Sequence, residues 1–285
     1  MHSVNHRVFR ATWWSVNLLL LAAVLGVIYT GGWEYSVRRY LDGFSDAIVP
    51  DSMSSEQQVE AILQWIRSGS LRADTSETAT LSMRDPETTL NYRELLRVCG
   101  TATNAFLNLA RSKDLKARRL LLLGANGTAT HVVAEVLIDG RWVIADPVYH
   151  VLLRDAHGAL LTRTQLRDPA VFLQATTGIP GYKEEYNYNR FTHVRIQKLP
   201  LDGFHLPWLL NRVFPTWEDA IDWSILLERE SFLALTIAVI ALLSFLVARL
   251  LLGWYADRRL GIPRFRLRSR IARAGATFFH APEIK

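Results

Sequence analysis

Two stretches of this chain are apolar almost without interruption. From Trp13 to Tyr29 only Ser15 and Asn17 are polar, and from Phe232 to Leu252 only Thr236, Ser244 and Arg249 are. About 20 helical residues, rising ~1.5 Å each, cross the ~30 Å of hydrocarbon in a bilayer. Each run therefore predicts a membrane-spanning helix, the first being the shorter. Trp13, Trp14, Tyr29 and Trp33 lie near the ends of the first run, and Trp254 and Tyr255 close the second, where interfacial aromatics belong. Tyr29-Thr30-Gly31-Gly32-Trp33 carries no small-x-small cleavage pattern, so the first run reads as an uncleaved anchor.

Between the runs the pattern changes to that of a folded domain. Ser54 is followed three residues later by Gln57, and Val59, Ile62, Leu63 and Ile66 recur at helical spacing, which predicts a capped amphipathic helix ending near Gly69. Ser70 to Asn91 is polar and contains Asp85-Pro86, and it reads as a long loop. A second helix is expected to be capped at Asn91-Tyr92-Arg93-Glu94. Its apolar stripe of Ala102, Phe106, Leu109 and Ala110 runs to about Lys113, with Cys99 near the start of that stripe. Arg119 to Leu123 reads as a strand, followed by a turn at Gly124-Ala125-Asn126-Gly127. Asp139-Gly140 predicts a two-residue hairpin between strands His131–Ile138 and Arg141–Asp146. The expected organisation is a cytoplasmic tail at 1–12, a span at 13–30 and an extracytoplasmic domain at 31–230. Within that domain the core is 55–150 and the extension 151–230. A second span at 231–253 and a basic tail at 254–285 follow.

Charge orients this arrangement. The chain of 285 residues carries a net +6. Arg249 to Lys285 holds nine Lys or Arg against Asp257 and Glu283, and Arg7 and Arg10 precede the first span. Glu34 to Glu230 holds 22 basic and 25 acidic residues. The basic pI thus belongs to the ends, and the near-neutral middle excludes a nucleic-acid-binding domain. The positive-inside rule puts both termini in the cytoplasm and the domain outside it. The Arg run at Arg258, Arg259, Arg264, Arg266, Arg268, Arg270 and Arg273 reads as a topology determinant that also touches anionic lipid.

The single cysteine, Cys99, cannot form an intramolecular disulfide. The hairpin supplies a geometric expectation for its chemistry. If Ile138 faces Arg141, then Asp146 faces Val133, and His131 points to the same face as Val133. His131 and Asp146 are then diagonal neighbours, with backbones about 7–8 Å apart, close enough for their side chains to meet. A one-residue slip of register would separate them. A thiol needs a base and a local positive field to become a thiolate, and an imidazole fixed by a carboxylate provides the base.

At these residues the chain resembles the transglutaminase-like superfamily, a branch of papain-like cysteine enzymes. The resemblance rests on Val98-Cys99-Gly100-Thr101-Ala102, Leu115-Lys116-Ala117-Arg118, His131-Val132-Val133-Ala134-Glu135-Val136, Gly140-Arg141-Trp142-Val143 and Ala145-Asp146-Pro147, over roughly residues 55 to 150. The chain departs from the pattern at Arg97, where the family usually has Gly, and at Val133, where it often has an aromatic. The resemblance implies an α+β fold in which a Cys-bearing helix packs on an antiparallel sheet, here flanked by two transmembrane helices. It implies Cys99 as nucleophile, His131 as base and Asp146 as orienting acid, with no cofactor. An unbroken helix from Tyr92 to Lys113 would place Cys99 away from a helix N-terminus, and Gly100 offers a site for the needed break.

The expected activity is cleavage or transfer of an acyl group at an amide of a peptide, protein or cell-envelope substrate, in a two-pass protein of a bacterial inner membrane with its domain in the periplasm. The rival expectation is an inactive member of the same fold that binds a partner in an envelope assembly. Cys99, His131, Asp146 and His150 include zinc-ligand types, but no close-spaced ligand pair is present, so no metal is expected. Glu135 shares a face with His131 and reads as a solvated or salt-bridged carboxylate. Tyr182, Tyr186, Tyr188 and Phe191 read as packing residues, with a substrate cleft as the alternative.

Overall fold

The structure, a computed structural model, describes residues 2–68, 82–193, 208, 212–214 and 224–260. The chain divides into two compact units, Met1–Ile28 with Ile237–Lys285, and Tyr29–Thr236. The expected features at Ser70–Leu81 and in the tail from Arg264 onward lie outside the described residues.

The first unit is built from the apolar parts of helices α1 (His2–Ile48) and α6 (Glu230–Tyr255). Both helices are long and apolar enough to cross a membrane. Leu18, Leu25, Ile240, Leu243 and Leu250 are exposed along them, an arrangement that water penalises and lipid does not. The polar residues inside the runs bond back to their own helix. Asn17 Nδ2 donates to the Trp13 carbonyl at 2.6 Å, Thr236 Oγ1 to Phe232 at 2.8 Å and Ser244 Oγ to Ile240 at 2.8 Å. A polar group satisfied in this way costs much less in hydrocarbon.

Helix α1 does not stop at Gly31-Gly32. It continues to Ile48, and Val37, Leu41, Phe44 and Ile48, at helical spacing, pack on the core of the second unit. The loss of about 1 kcal/mol at each mid-helix glycine is outweighed by burial of this stripe. Helix α2 (Ser55–Ser68) follows with the expected capping box. The Ser54 N–H donates to Gln57 Oε1 at 3.0 Å, and the Gln57 N–H donates to Ser54 Oγ at 3.4 Å. Val59, Ile62, Leu63 and Ile66 are all buried.

The stretch expected to be a long loop contains a helix in its described part. Helix α3 (Pro86–Asn91) is started by Asp85, which accepts from the Thr88 N–H at 3.1 Å, with Pro86 at the first helical position. Asp85-Pro86 is thus a helix-start signal, because proline loses no hydrogen bond there. The next helix also starts later than expected. Residues Leu95–Arg97 form a 3-10 turn, Val98 is extended (φ −90°, ψ 124°), and helix α4 runs from Cys99 to Ser112.

The sheet has the order β4-β3-β2-β1-β5 and is antiparallel throughout. Its strands are β1 (Ala117–Leu123), β2 (Ala129–Ile138), β3 (Arg141–Asp146), β4 (Val151–Leu152) and β5 (Phe191–Thr192). Asp139 (φ 48°) and Gly140 (φ 76°) form the two-residue hairpin, and Ile138 pairs with Arg141. Two left-handed residues in succession give the turn whose twist matches the strands. On one sheet face Ala134 and Val136 pack with Phe106, Leu109 and Ala110 of α4. On the other, Val133 and Ile144 pack beneath Leu153, Leu161 and Phe172, the last from helix α5 (Pro169–Thr176). Cover on both faces explains why β2 is buried at nearly every position rather than at alternate ones.

Candidate active site

Three elements converge on Cys99. Because Val98 is extended, the backbone re-enters the helix at Cys99, which becomes its first residue. The Val98 carbonyl accepts from the N–H groups of Thr101 (3.0 Å) and Ala102 (2.9 Å), while the N–H of Cys99, as a first-turn residue, has no intrahelical acceptor. Thr103 Oγ1 donates to the Val132 carbonyl at 3.0 Å and ties this turn to β2. Arg119 Nη2 donates to the Gly100 carbonyl at 2.8 Å. A Cβ built on Gly100 would meet this same nitrogen at 3.6 Å, an ordinary contact. The break in the chain therefore lies at Val98 and does not need Gly100.

His131 is aimed by an irregularity in the sheet. Leu122 pairs with His131 but Leu123 pairs with Ala129, which leaves Thr130 as an extra residue. Thr130 Oγ1 donates to the Leu122 carbonyl at 3.2 Å. Such a bulge bends the strand and redirects the neighbouring side chain. The buried His131 Nε2 lies 2.7 Å from Oδ2 of the fully buried Asp146. The other carboxylate oxygen, Oδ1, accepts from the N–H groups of Val148 (3.2 Å) and Tyr149 (3.4 Å). Asp146 is thus held by the turn that Pro147 enters, and it presents its remaining oxygen to the imidazole.

The electrostatics match this geometry. The Cys99 thiol is held below its ordinary value, chiefly by hydrogen bonding to His131. Burial opposes this, and the charge on His131 and the backbone N–H groups of Val132 and Gly100 add to it. Burial works against protonation of His131, yet its bonds to Asp146 and Cys99 and their charges outweigh it and push its pKa up to about 9. The same proton is thereby drawn from sulfur to imidazole.

Two of the tyrosines weighed above as packing residues, Tyr186 and Tyr182, contact the imidazole. The Tyr186 ring stacks on His131 with centroids 4.2 Å apart and planes inclined by 7°. Tyr149 and Tyr182 approach edge-on at 5.8 and 6.3 Å. The hydroxyls of Tyr182 and Tyr188 are 3.0 Å apart. Phe191 lies elsewhere, in β5, beneath the Arg163 guanidinium at 3.7 Å. Glu135, four residues beyond His131 on β2, is a buried salt-bridged carboxylate. It lies 2.8 Å from Arg118 Nε and 3.0 Å from His193 Nε2. His150 is held at φ 58°. Among the described residues no group of three or more His, Cys, Asp or Glu is arranged to hold a metal ion.

A Cys-bearing helix on an antiparallel sheet, with His and Asp on adjacent strands, is the layout of the papain-like cysteine enzymes. Residues 42–147 match the family model of the transglutaminase-like superfamily, and the chain carries a domain of that superfamily. No curated protein and no solved structure matches the chain. The matched segment begins inside α1 and ends at Pro147, so Tyr149, Tyr182, Tyr186 and Tyr188 lie beyond it. The signal for the last three was the density of tyrosine between Gly181 and Phe191. What it lacked was any periodicity that says where such a segment docks.

Proposed function

We propose that this chain is a membrane-anchored thiol enzyme that cleaves or transfers an acyl group at an amide. In this reading Cys99 is the nucleophile, His131 the acid and base, and Asp146 the group that orients His131. The observation that carries it is the 2.7 Å contact between His131 and Asp146, with the imidazole lowering the thiol at the first residue of a helix. The substrate class is a peptide, protein or cell-envelope component. The basic flanks and the near-neutral middle support a topology with both termini inside and the domain outside.

The thiolate attacks the amide carbonyl carbon, and the N–H of Cys99, which has no acceptor within its helix, is available to the developing oxyanion. The imidazolium gives its proton to the leaving nitrogen, the C–N bond breaks, and a thioester forms on Cys99. Water or an amine then attacks the thioester and loses its proton to neutral His131. The C–S bond breaks, and the thiolate–imidazolium pair is restored. Asp146 keeps the imidazole in the required tautomer without taking the proton itself.

Iodoacetamide labelling of Cys99 against pH, on detergent-solubilised full chain, tests the site. Fast labelling below pH 8, slowed by His131→Ala, is the expected result. A thiol that titrates like free cysteine and ignores His131→Ala would leave a non-catalytic binding module as the better reading. Topology is tested by reporter fusions at Lys285 and near Gly158, and a cytoplasmic signal at Gly158 would refute it.

A further inference from the structure

We propose that Tyr186 is a positioning residue for this site. Its ring holds the His131 imidazole in the plane that serves Asp146 and Cys99 together, and it favours the imidazolium over the neutral ring. The proposal rests on the thiol chemistry argued above and adds a part that lies outside the matched family segment.

A hydrogen bond from Nε2 to Asp146 fixes one edge of the imidazole but leaves the ring free to swing about that contact, because the terminal torsion of histidine is broad. A swing of this kind moves the opposite nitrogen away from Cys99. Tyr186, lying flat on the ring at 4.2 Å and 7°, blocks it from one face. Tyr186 is itself held. It is buried, Tyr182 meets it edge-on at 5.4 Å, and Tyr149 meets it at 6.5 Å. Tyr149 is pinned in turn by its hydroxyl, which donates to the Gly181 carbonyl at 2.8 Å. The clamp thus closes between the turn after β3 and the segment after α5.

The electronic part follows from the same stacking. The face of a tyrosine ring carries negative potential and attracts a cation more than a neutral group. The titratable groups facing His131 are Cys99 from α4, Asp146 from β3, Tyr149 from the turn beyond it, and Tyr182 and Tyr186 from the segment after α5. Burial, first among several causes, raises the phenols of Tyr182 and Tyr186, so both rings stay neutral in the working pH range. Tyr186 therefore acts through its π face and not through its hydroxyl, and phenylalanine should replace it.

The experiment is the pH profile of Cys99 alkylation on full-length protein in detergent, in wild type, Tyr186→Phe, Tyr186→Leu, and a variant carrying tetrafluorophenylalanine at position 186. The fluorinated ring keeps the shape and removes the negative face, so it remains informative where the leucine variant fails to fold. Tyr186→Phe should leave the profile in place. The fluorinated ring and Tyr186→Leu should lower the upper limb, where His131 loses its proton, by roughly half a pH unit to one unit. Folded variants whose profiles superimpose on wild type, with Cys99 activated in all of them, would overturn the Tyr186 role and leave the thiol chemistry standing. A wild-type thiol that is not activated at all would refute both.

Discussion

Strand β2 carries two buried histidine–carboxylate pairs on the same face, and they do different things. At its start His131 meets Asp146 at 2.7 Å; four residues on, Glu135 meets His193 at 3.0 Å. Asp146 faces one titratable cation, and its other oxygen is occupied by backbone N–H groups. Glu135 faces the guanidinium groups of Arg118 and, at 3.8 Å, Arg163, together with the imidazole of His193. Burial would raise the Glu135 carboxyl, but His193, Arg118 and Arg163 pull it below its ordinary value. Nothing in that second cluster needs a proton moved. At the first, the proton is contested between sulfur and imidazole. A buried pair alone is therefore not a candidate site; a thiol at a helix start, and no surplus of fixed charge, make the difference.

The comparison breaks most visibly in activity. Cys99→Ser and His131→Ala should each lower acyl-transfer rates on the order of 10³-fold or more, and Asp146→Asn by a similar factor through the wrong tautomer. Glu135→Gln should leave both the rate and the Cys99 alkylation profile unchanged. Equal losses at Glu135 and Asp146, in turnover assays on a model amide, would erase the distinction.

Stability should reverse the order. Glu135→Gln leaves Arg118 and Arg163 without their buried counter-charge and should cost about 3–5 kcal/mol, read from denaturant unfolding of the domain. Acid should act in the same direction. A depressed carboxyl stabilises the fold above its unfolded pKa, and that stability is lost as pH falls through the lowered native value. Unfolding midpoints that do not drop below about pH 4 would count against the Glu135 cluster as a structural pin.

For His131 the sign is opposite. A raised histidine contributes stability that is complete below its unfolded value, near 6.5, and is lost as pH rises through about 9. In a Cys99→Ser background, which removes both the opposing thiolate contribution and the part of the His131 rise that Cys99 supplies, the melting temperature should still fall above pH 6.5, over a shorter interval, through the Asp146 part alone. Adding Asp146→Asn should flatten the fall. The smallest effect belongs to a feature remote from both clusters. Ser54→Ala should cost about 1 kcal/mol through the capping box of α2, with no change in labelling.

Local sequence was enough for features whose cause is local. The α2 cap follows from Ser54 and Gln57, and the pairing of Ile138 with Arg141 follows from the turn that Asp139-Gly140 imposes. That turn sets the register, and the register brings His131 and Asp146 to one face. The two apolar helices were legible because hydrocarbon leaves a segment few other options. Only the tertiary structure decided the rest. The helix could have begun at Asn91, since nothing in Tyr92 to Val98 forbids it. It begins at Cys99 because Asp85 and Pro86 close a separate turn, and Thr103 and Arg119 hold α4 against the sheet. The bulge at Thr130 costs a ladder bond that no sequence period reveals. Helix α1 passes through two glycines because its far half has a core to cover. The tyrosines reach His131 from more than 50 residues further along the chain, and a contact at that separation is set by how the extension packs on the sheet, which neither periodicity nor propensity encodes.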